Sequence, residues 1–397
     1  MTTQPEQVLE NNLINQLIGL GHKSVVIKSE SDLLKNLKAQ LEKHNKVDFT
    51  DGEFDRVLIH LSKGNIFDKA KTLRDNYVLL KDNRDKAYIE FINQDFWCQN
   101  QFQVTNQITI NGKRENRYDV TLLINGLPLV QIELKRRGIE LKEAFNQIQR
   151  YQKESFLSNN ALFNYVQIFV ISNGVDTKYY ANSQKQSFKF TSFWSKVNNA
   201  KITQLDTFAS IFLEPCHIAK MITKYIVLHE SDKILMVLRP YQYYAVEAIV
   251  DQVKAGSASQ SKNGYIWHTT GSGKTLTSFK AAQLLCELPK VDKVLFVVDR
   301  ADLDYQTTRE FNHFSEGCVD GTDNTRQLVK QMSGVGKENK LIVTTIQKLN
   351  TAISSSRHEA AMDSMKDKRV IFIFDECHRS QFGETHKNIT KFFTKAQ

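Results

Sequence analysis

The feature that most constrains this chain is the run His268-Thr269-Thr270-Gly271-Ser272-Gly273-Lys274-Thr275. It follows the apolar triplet Tyr265-Ile266-Trp267 and precedes a helix-like segment, 276–285. That order predicts a strand, a glycine-rich turn and a helix start. Glycines let backbone N–H groups converge on phosphate oxygens, and a new helix presents its partial positive end to them. In such a cradle Thr270, Gly271, Ser272 and Gly273 line the phosphates of ATP, Lys274 reaches the β/γ-phosphates and the Thr275 hydroxyl ligates Mg²⁺. The strict pattern asks for Gly at 268, where this chain has His. The match is therefore to the shorter T-G-x-G-K-T form, and the competing explanation is an ordinary Gly/Ser turn capping a helix.

About a hundred residues on, Val370-Ile371-Phe372-Ile373-Phe374 is a continuous apolar run, as expected for a parallel strand buried on both faces. It ends in Asp375-Glu376-Cys377-His378. Carboxylates there sit at the ligand-binding edge of an α/β sheet. Asp375 is placed to hold Mg²⁺, and Glu376 to polarise the water that attacks the γ-phosphate. Two further buried strands are expected, at 294–298 before Asp299-Arg300 and at 341–347. Upstream, Leu238-Arg239-Pro240-Tyr241-Gln242 precedes a helix at 243–253. With these segments in place, residues from about 238 onward resemble the first RecA-like domain of a superfamily 2 helicase or translocase. The resemblance implies that Gln242 reads the adenine and that the Thr344–Gln347 and Arg300 regions touch a nucleic-acid backbone. From the residues alone, strand-end threonines are more readily helix N-caps.

The first half follows a different grammar. Helical periodicity covers roughly 5–20, 31–45 and 51–63, and Thr50-Asp51-Gly52-Glu53 has the form of a capping box. Strands are expected at 87–93, 101–110 and 165–172, a helix at 140–156, and hairpins at Asn111-Gly112 and Asn125-Gly126. The boundary falls near 225–237. The expected fold class is thus α/β: an N-terminal mixed sheet flanked by helices over 1–230, then a RecA-like parallel sheet over 231–397, incomplete at its C-terminal end.

The chemistry of the first domain rests on Asp119 and on Glu133-Leu134-Lys135. Glu133 and Lys135 are two apart on a strand and share a face. With Asp119 on the neighbouring strand, two carboxylates could hold one or two Mg²⁺ ions that activate water and offset phosphate charge. Lys135 would orient or deprotonate that water. There is a register condition. A plain two-residue loop at Asn125-Gly126 places Asp119 opposite Ile132 and turns Glu133 to the other face. A shared site therefore needs one extra residue, a three-residue loop or a bulge at Pro128. The D-x13-E-x-K pattern resembles the PD-(D/E)xK nucleases. Gln147 and Tyr151, four apart on the next helix, resemble the Q-x-x-x-Y element of type I restriction enzymes and RecB-like nucleases. They could position a phosphate or brace the lysine. Glu10 is read as an ordinary helix-surface acid, with a place at the metal site as the alternative. Lys178, in the turn after a buried strand, is a candidate interdomain contact, against a solvated lysine.

Five cysteines, widely spaced and without a CxxC pair, argue against a disulfide framework or zinc site and for a reducing compartment. The polar N-terminus carries no secretion signal, and no apolar run approaches a membrane span, so the expectation is a cytoplasmic protein with no membrane partner. A net charge of +9 fits a polyanion partner.

The order of the motifs, D…E-x-K and Q-x-x-x-Y before T-G-S-G-K-T and D-E-C-H, resembles the N-terminal part of the R (motor and endonuclease) subunit of a type I restriction enzyme. The resemblance implies ATP-dependent translocation of double-stranded DNA, Mg²⁺-dependent cleavage remote from the recognition site, and methyltransferase (M) and specificity (S) partner subunits. S-adenosylmethionine would enter only through the methyltransferase. The alternatives are a helicase–nuclease of DNA repair and a DNA-binding motor with a decayed nuclease. A two-lobed motor needs a second RecA-like domain to supply an arginine to the transition state. The 397-residue piece is therefore expected to hydrolyse ATP poorly.

Overall fold

The computed structural model describes residues 5–111, 115–154, 162–183, 186–256, 263–299, 301–314, 320–321, 324–334, 340–375 and 383–397. Glu376, Cys377, His378, Arg300, Gly112 and Cys318 lie outside them. The chain divides into two compact units, 1–228 with 233–240, and 229–232 with 241–397.

The first unit opens with α1 (Glu6–Gly19), β1 (Lys23–Ser24), α2 (Glu30–Asn45), α3 (Asp51–Ser62) and α4 (Ile66–Thr72). Three of these helices start at capping boxes: Ser29 with Asp32, Thr50 with Glu53, and Asn65 with Asp68. Each satisfies backbone donors that would otherwise be orphaned, worth about 1 kcal/mol per cap. A small hairpin, β2 (Tyr77–Leu80) with β3 (Lys86–Ile89), comes next. Then follow β4 (Phe102–Asn111), β5 (Glu115–Ile124), β6 (Leu127–Leu134), α5 (Leu141–Glu154), β7 (Ile168–Ser172) and β8 (Thr177–Ala181).

Six described strands make one mixed sheet in the order β1-β4-β5-β6-β7-β8. β1–β4 and β6–β7 are parallel, and the other pairs are antiparallel. Every residue of β6 and β7 is buried, so the centre of the sheet is covered on both faces. The unit is completed by β9 (Trp194–Ser195), β10 (Lys201–Ile202), α6 (Leu205–Phe212), α7 (Pro215–Lys220), β11 (Ile226–His229) and β12 (Ile234–Val237).

One reading of this unit is corrected. Cys98 and Cys216 are joined by a disulfide. Their separation of 118 residues leaves no local spacing signal, and they meet because the turn at Trp97–Gln99 packs against α7. The Lys178 ammonium lies 4.7 Å and 4.8 Å from the ring centroids of Phe188 and Phe193.

The second unit runs α8 (Pro240–Ala255), α9 (Lys274–Cys286), β13 (Lys293–Val298), α10 (Ala301–Phe314), β14 (Asp320–Gly321), α11 (Thr325–Ser333), β15 (Leu341–Thr345), α12 (Ile346–Ser354), α13 (Glu359–Asp363), β16 (Val370–Phe374) and α14 (Glu384–Phe392). Its described strands form a parallel sheet in the order β14-β15-β13-β16. Leu295, Val297, Ile342, Leu349 and Val370 pack in its core with Met332, Met362 and Phe393. One expected strand is not there. Residues 263–269 pair with no strand among the described residues, and Tyr265 and Trp267 are 83% and 88% exposed. Apolarity alone predicted that strand.

Candidate functional site

The Asn125-Gly126 turn sets the geometry of the first unit's acidic cluster. Both residues are left-handed, at φ 51° and 85°, as a two-residue hairpin loop of this kind demands. Ile124 pairs with Leu127 and Leu123 with Pro128. Beyond them the register shifts: Leu122 pairs with Val130, Thr121 with Gln131 and Val120 with Ile132. Leu129 is the extra residue, immediately after Pro128, which has no N–H to give a ladder. One further step in this register sets Asp119 level with Glu133. The irregularity that a shared site requires is present.

The side chains converge accordingly. Glu133 is fully buried, and its Oε1 accepts from Lys135 Nζ at 3.2 Å. Lys135 Nζ also donates to Glu6 Oε1 at 3.2 Å and to the Leu134 carbonyl at 2.9 Å, which employs all three ammonium hydrogens. Asp119 Oδ2 accepts from the Leu134 backbone N–H at 2.8 Å. Glu133 Oε2 is buried and has no hydrogen-bond partner among the described residues. Burial, against the pull of Lys135, raises the Asp119 carboxyl to about 6. Burial and then Asp119 push Glu133 well above the carboxylate range. For Lys135, burial acts downward, but Glu133, Asp119 and Glu6 together outweigh it and hold the amine above its ordinary value. The lysine is a firm cation, and the carboxylates resist being charged together.

Around this centre, α1 and α5 contribute more. Glu10 lies on the buried stripe of α1 with Leu13 and Leu17, and Asn106 and Gln107 donate amides to its carboxylate. The reading of Glu10 as a surface acid is therefore corrected. Its place on a stripe spaced 10, 13, 17 was a readable signal of burial. Glu6, one turn earlier on the same face, reaches Lys135 and was missed. On α5, Gln147 donates to the Tyr151 hydroxyl, which donates to the Arg117 carbonyl at 2.9 Å. The Tyr151 ring meets Tyr118 edge-on at 4.8 Å. Burial raises the Tyr151 phenol, so it acts as a hydrogen-bond donor and not as an anion. Lys135, Glu143, Asn146, Gln147 and Arg150 line a cavity of about 270 Å³.

In the second unit the phosphate-loop residues form a turn that ends in α9. Gly271 and Gly273 have φ 74° and 83°, which side chains other than glycine rarely adopt. A Cβ at Gly273 would lie 2.6 Å from the Gln242 amide nitrogen. Gln242 is buried and donates toward the Ser272 and Gly273 carbonyls at 3.3 and 3.4 Å, and Tyr241 donates its hydroxyl to Ser272 at 2.7 Å. Gly273 offers α9 no side-chain cap. His268, which stands where the strict motif has Gly, approaches Ser272 Oγ at 3.1 Å. Burial and then Lys274 lower its imidazole. Asp375 follows β16 and donates its backbone N–H to Val297 at 3.0 Å. Thr345 caps α12 by accepting from the Lys348 N–H at 3.2 Å.

Comparison with known proteins decides the family. The type I restriction enzyme R protein N terminus matches residues 3–188, and the SWI2/SNF2 ATPase matches residues 241–397. The type I restriction enzyme SsaAORF53P endonuclease subunit of Staphylococcus saprophyticus is 50% identical over 403 residues, covering 100% of this chain and 42% of the relative. The EcoprrI endonuclease subunit of Escherichia coli is 39% identical over 275 residues, covering 66% of this chain and 88% of the relative. The chain belongs to the family of type I restriction enzyme endonuclease subunits. The SauMSSORF170P endonuclease subunit of Staphylococcus aureus is 48% identical, again covering 100% of this chain and 42% of its own length. The chain thus spans about 42% of those staphylococcal relatives.

Among the described residues, no group of three or more His, Cys, Asp or Glu gathers to hold a metal. Mg²⁺ does not require such a cage. It is commonly held by one or two carboxylates with waters and substrate phosphate. The buried, unpartnered Glu133 Oε2 beside a second carboxyl whose ionisation burial opposes is the charge deficit a cation would fill. The residues fit the ion.

Proposed function

We propose that this chain carries the nuclease and motor chemistry of a type I restriction endonuclease: ATP-dependent translocation on double-stranded DNA coupled to Mg²⁺-dependent cleavage away from the recognition site. The two units, read as an endonuclease domain and a first RecA-like ATPase domain, divide that work. The observation that carries the proposal is the Leu129 bulge, whose register, carried one step beyond Val120–Ile132, brings Asp119 level with Glu133. Asp119 and Glu133 are the carboxylates that would hold Mg²⁺, whose chemistry there is to offset charge on the phosphate under attack. Lys135, held protonated by Glu133, Asp119 and Glu6, faces the phosphate as a cation and would orient the water by releasing one of its present acceptors; it does not serve as the base. Gln147 and Tyr151 fix the helix face beside it. In the motor, Thr270 to Thr275 and Gln242 bind ATP, with Thr275 and Asp375 on its Mg²⁺ and Glu376 placing the hydrolytic water.

DNA, the M and S subunits, and S-adenosylmethionine through the M subunit complete the proposed assembly. We place it in the cytoplasm with the DNA it would cut. Among the described residues no helix is long and apolar enough to cross a membrane. The Cys98–Cys216 disulfide is the observation that runs against a reducing compartment. The test is cleavage of circular DNA by the full-length subunit, with and without ATP, Mg²⁺ and the methyltransferase complex. Cleavage needing all three supports the proposal. Cleavage without the methyltransferase complex returns the chain to the repair-nuclease alternative.

A further inference from the structure

Helix α5 offers the candidate nuclease centre more than Gln147 and Tyr151. Glu143, Asn146, Gln147 and Arg150 stand at i, i+3, i+4 and i+7, one helix face, and with Lys135 they line the cavity of about 270 Å³. The opposite stripe, Leu141, Ala144, Phe145 and Ile148, is buried, so packing locks the rotation of the helix and the direction of that face. Glu143, Asn146 and Arg150 are exposed on a sequence stretch where nothing in the core demands polar side chains.

The Arg150 guanidinium lies 5.6 Å from the Tyr151 ring centroid. Tyr151 is itself fixed, accepting from Gln147 and donating to the Arg117 carbonyl at 2.9 Å. A cation–π contact at that distance engages none of the guanidinium N–H groups in a hydrogen bond, so the arginine can still present a planar fork of donors. Its partners around the cavity are the Lys135 ammonium, already paired with Glu133 and Glu6, and two amides. Glu143 is the one carboxylate of the lining itself, which leaves Arg150 as the lining cation with no carboxylate partner among the described residues. That inventory favours an oxyanion. The cavity is smaller than the roughly 300–1,000 Å³ of pockets that enclose whole small molecules. A phosphodiester group fits within it, and the polar lining suits an oxyanion better than the flat apolar face of a base.

We infer that Asn146 and Arg150 form a subsite for the DNA backbone phosphate next to the one being cleaved, pressing the strand against Lys135. Phosphate contacts of this kind fix the position of the duplex and read no sequence, which suits a nuclease whose cuts fall away from the recognised site. Glu143, one turn earlier on the helix, repels the phosphate from that end and so limits where the strand can settle. The inference rests on the nuclease reading of Asp119, Glu133 and Lys135.

The test uses the full-length subunit assembled with its partners and circular DNA, measuring cleavage and ATP turnover together across a salt series. Arg150→Ala should lower cleavage about tenfold, the loss of one charged hydrogen-bonding contact, with ATP turnover unchanged. The salt slope of cleavage, normalised to ATP turnover, should become shallower by about one counterion. Arg150→Lys should restore the slope and only part of the rate, because it keeps the charge and loses the fork. Asn146→Ala should weaken cleavage by a smaller factor without changing the slope. A slope for Arg150→Ala equal to that of the wild type overturns the subsite, whether or not the rate falls, since a purely structural arginine moves the rate alone. Melting curves of each variant exclude unfolding as the cause. Lys135→Ala, run in parallel, separates the two levels. If it abolishes cleavage while Arg150→Ala does nothing, the subsite is wrong and the nuclease reading stands. If Lys135→Ala cleaves normally, the reading beneath both has failed.

Discussion

The two candidate centres of this molecule are built in opposite ways. In the first unit, Asp119, Glu133, Lys135, Glu6 and Gln147 come from four separate elements, and one bulged residue decides whether the carboxylates share a face. In the second, the phosphate loop is a contiguous stretch whose shape is set by two left-handed glycines and a helix start. The first is a product of tertiary register, the second of local backbone geometry. A centre of the first kind carries its strain electrostatically, in carboxyls raised by burial. A centre of the second kind carries its cost in the backbone, at positions where only glycine is at ease.

The largest expected effects break the comparison outright. Asp119→Asn or Lys135→Ala should lower DNA cleavage by the full-length subunit about 10²–10⁴-fold while leaving DNA-stimulated ATP turnover intact. Lys274→Ala should remove ATP turnover, by roughly 10²-fold or more, and cleavage with it, because cutting follows translocation in the proposed scheme. The asymmetry is the point. Cleavage that survives Asp119→Asn would mean there is only one working centre here.

A second test attacks the register itself. Gly126 sits at φ 85°, and a Cβ there would lie 2.8 Å from the Leu37 backbone. Gly126→Ala should therefore cost the first unit about 1–3 kcal/mol, from strain and the forced shift of α2. Chemical denaturation would show it, and the second unit should keep its ATP binding. Since the turn fixes where β6 begins, cleavage should fall further than the stability loss alone accounts for. A variant that is destabilised but cuts at the wild-type rate would detach the bulge from the chemistry.

The pH dependence sharpens the electrostatic side. Asp119 and Glu133 hold protons to higher pH in the folded unit than in the unfolded chain, Asp119 to about 6. Their contribution to stability is thus full below the unfolded carboxylate range. It is lost as pH rises through the folded values, from about 4 to 6 for Asp119 and higher for Glu133. Glu133→Gln should flatten that slope and raise the melting temperature near neutral pH by roughly 2–6 °C. Added Mg²⁺ should stabilise the wild type more at pH 8 than at pH 6, about the value for Asp119, because the ion must displace protons to bind. Equal melting temperatures for wild type and Glu133→Gln across that range would show that the buried carboxyl carries no such cost.

How much of this was legible follows the same division. Helices α1 to α3 match the periodicity closely, and the Thr50–Glu53 capping box is present as read. The bulge could be demanded from residue arithmetic, since two carboxylates of a shared site cannot face opposite sides of a sheet. Leu129 itself could not be picked out, because every residue of β6 is buried and the apolar pattern carries no period. Glu6 and the Cys98–Cys216 pair escaped because their partners lie far away in sequence, and spacing arguments see only neighbours. The strand expected at Tyr265-Ile266-Trp267 was misread for the converse reason: apolarity marks a wish to be buried, and whether a sheet edge accepts the segment is a tertiary matter.

The smallest test concerns the end of β15, where the family resemblance and the local chemistry pull apart. The resemblance puts Thr344 to Gln347 on a nucleic-acid backbone, whereas Thr345 accepts from the Lys348 N–H and starts α12. Thr344 is fully buried and Thr345 nearly so, which leaves their hydroxyls little surface for DNA; Gln347 is exposed and has that surface. Thr345→Ala should cost about 1 kcal/mol of stability in the second unit, the usual loss for an N-cap, and Thr345→Asp or Thr345→Ser should largely restore it. DNA-stimulated ATP turnover should change no more than that stability loss explains. Gln347→Ala should do the reverse, weakening DNA stimulation at unchanged melting temperature. If Thr345→Ser restores the melting temperature yet leaves DNA stimulation impaired, the threonine works as more than a cap, and the second centre depends on tertiary placement as much as the first.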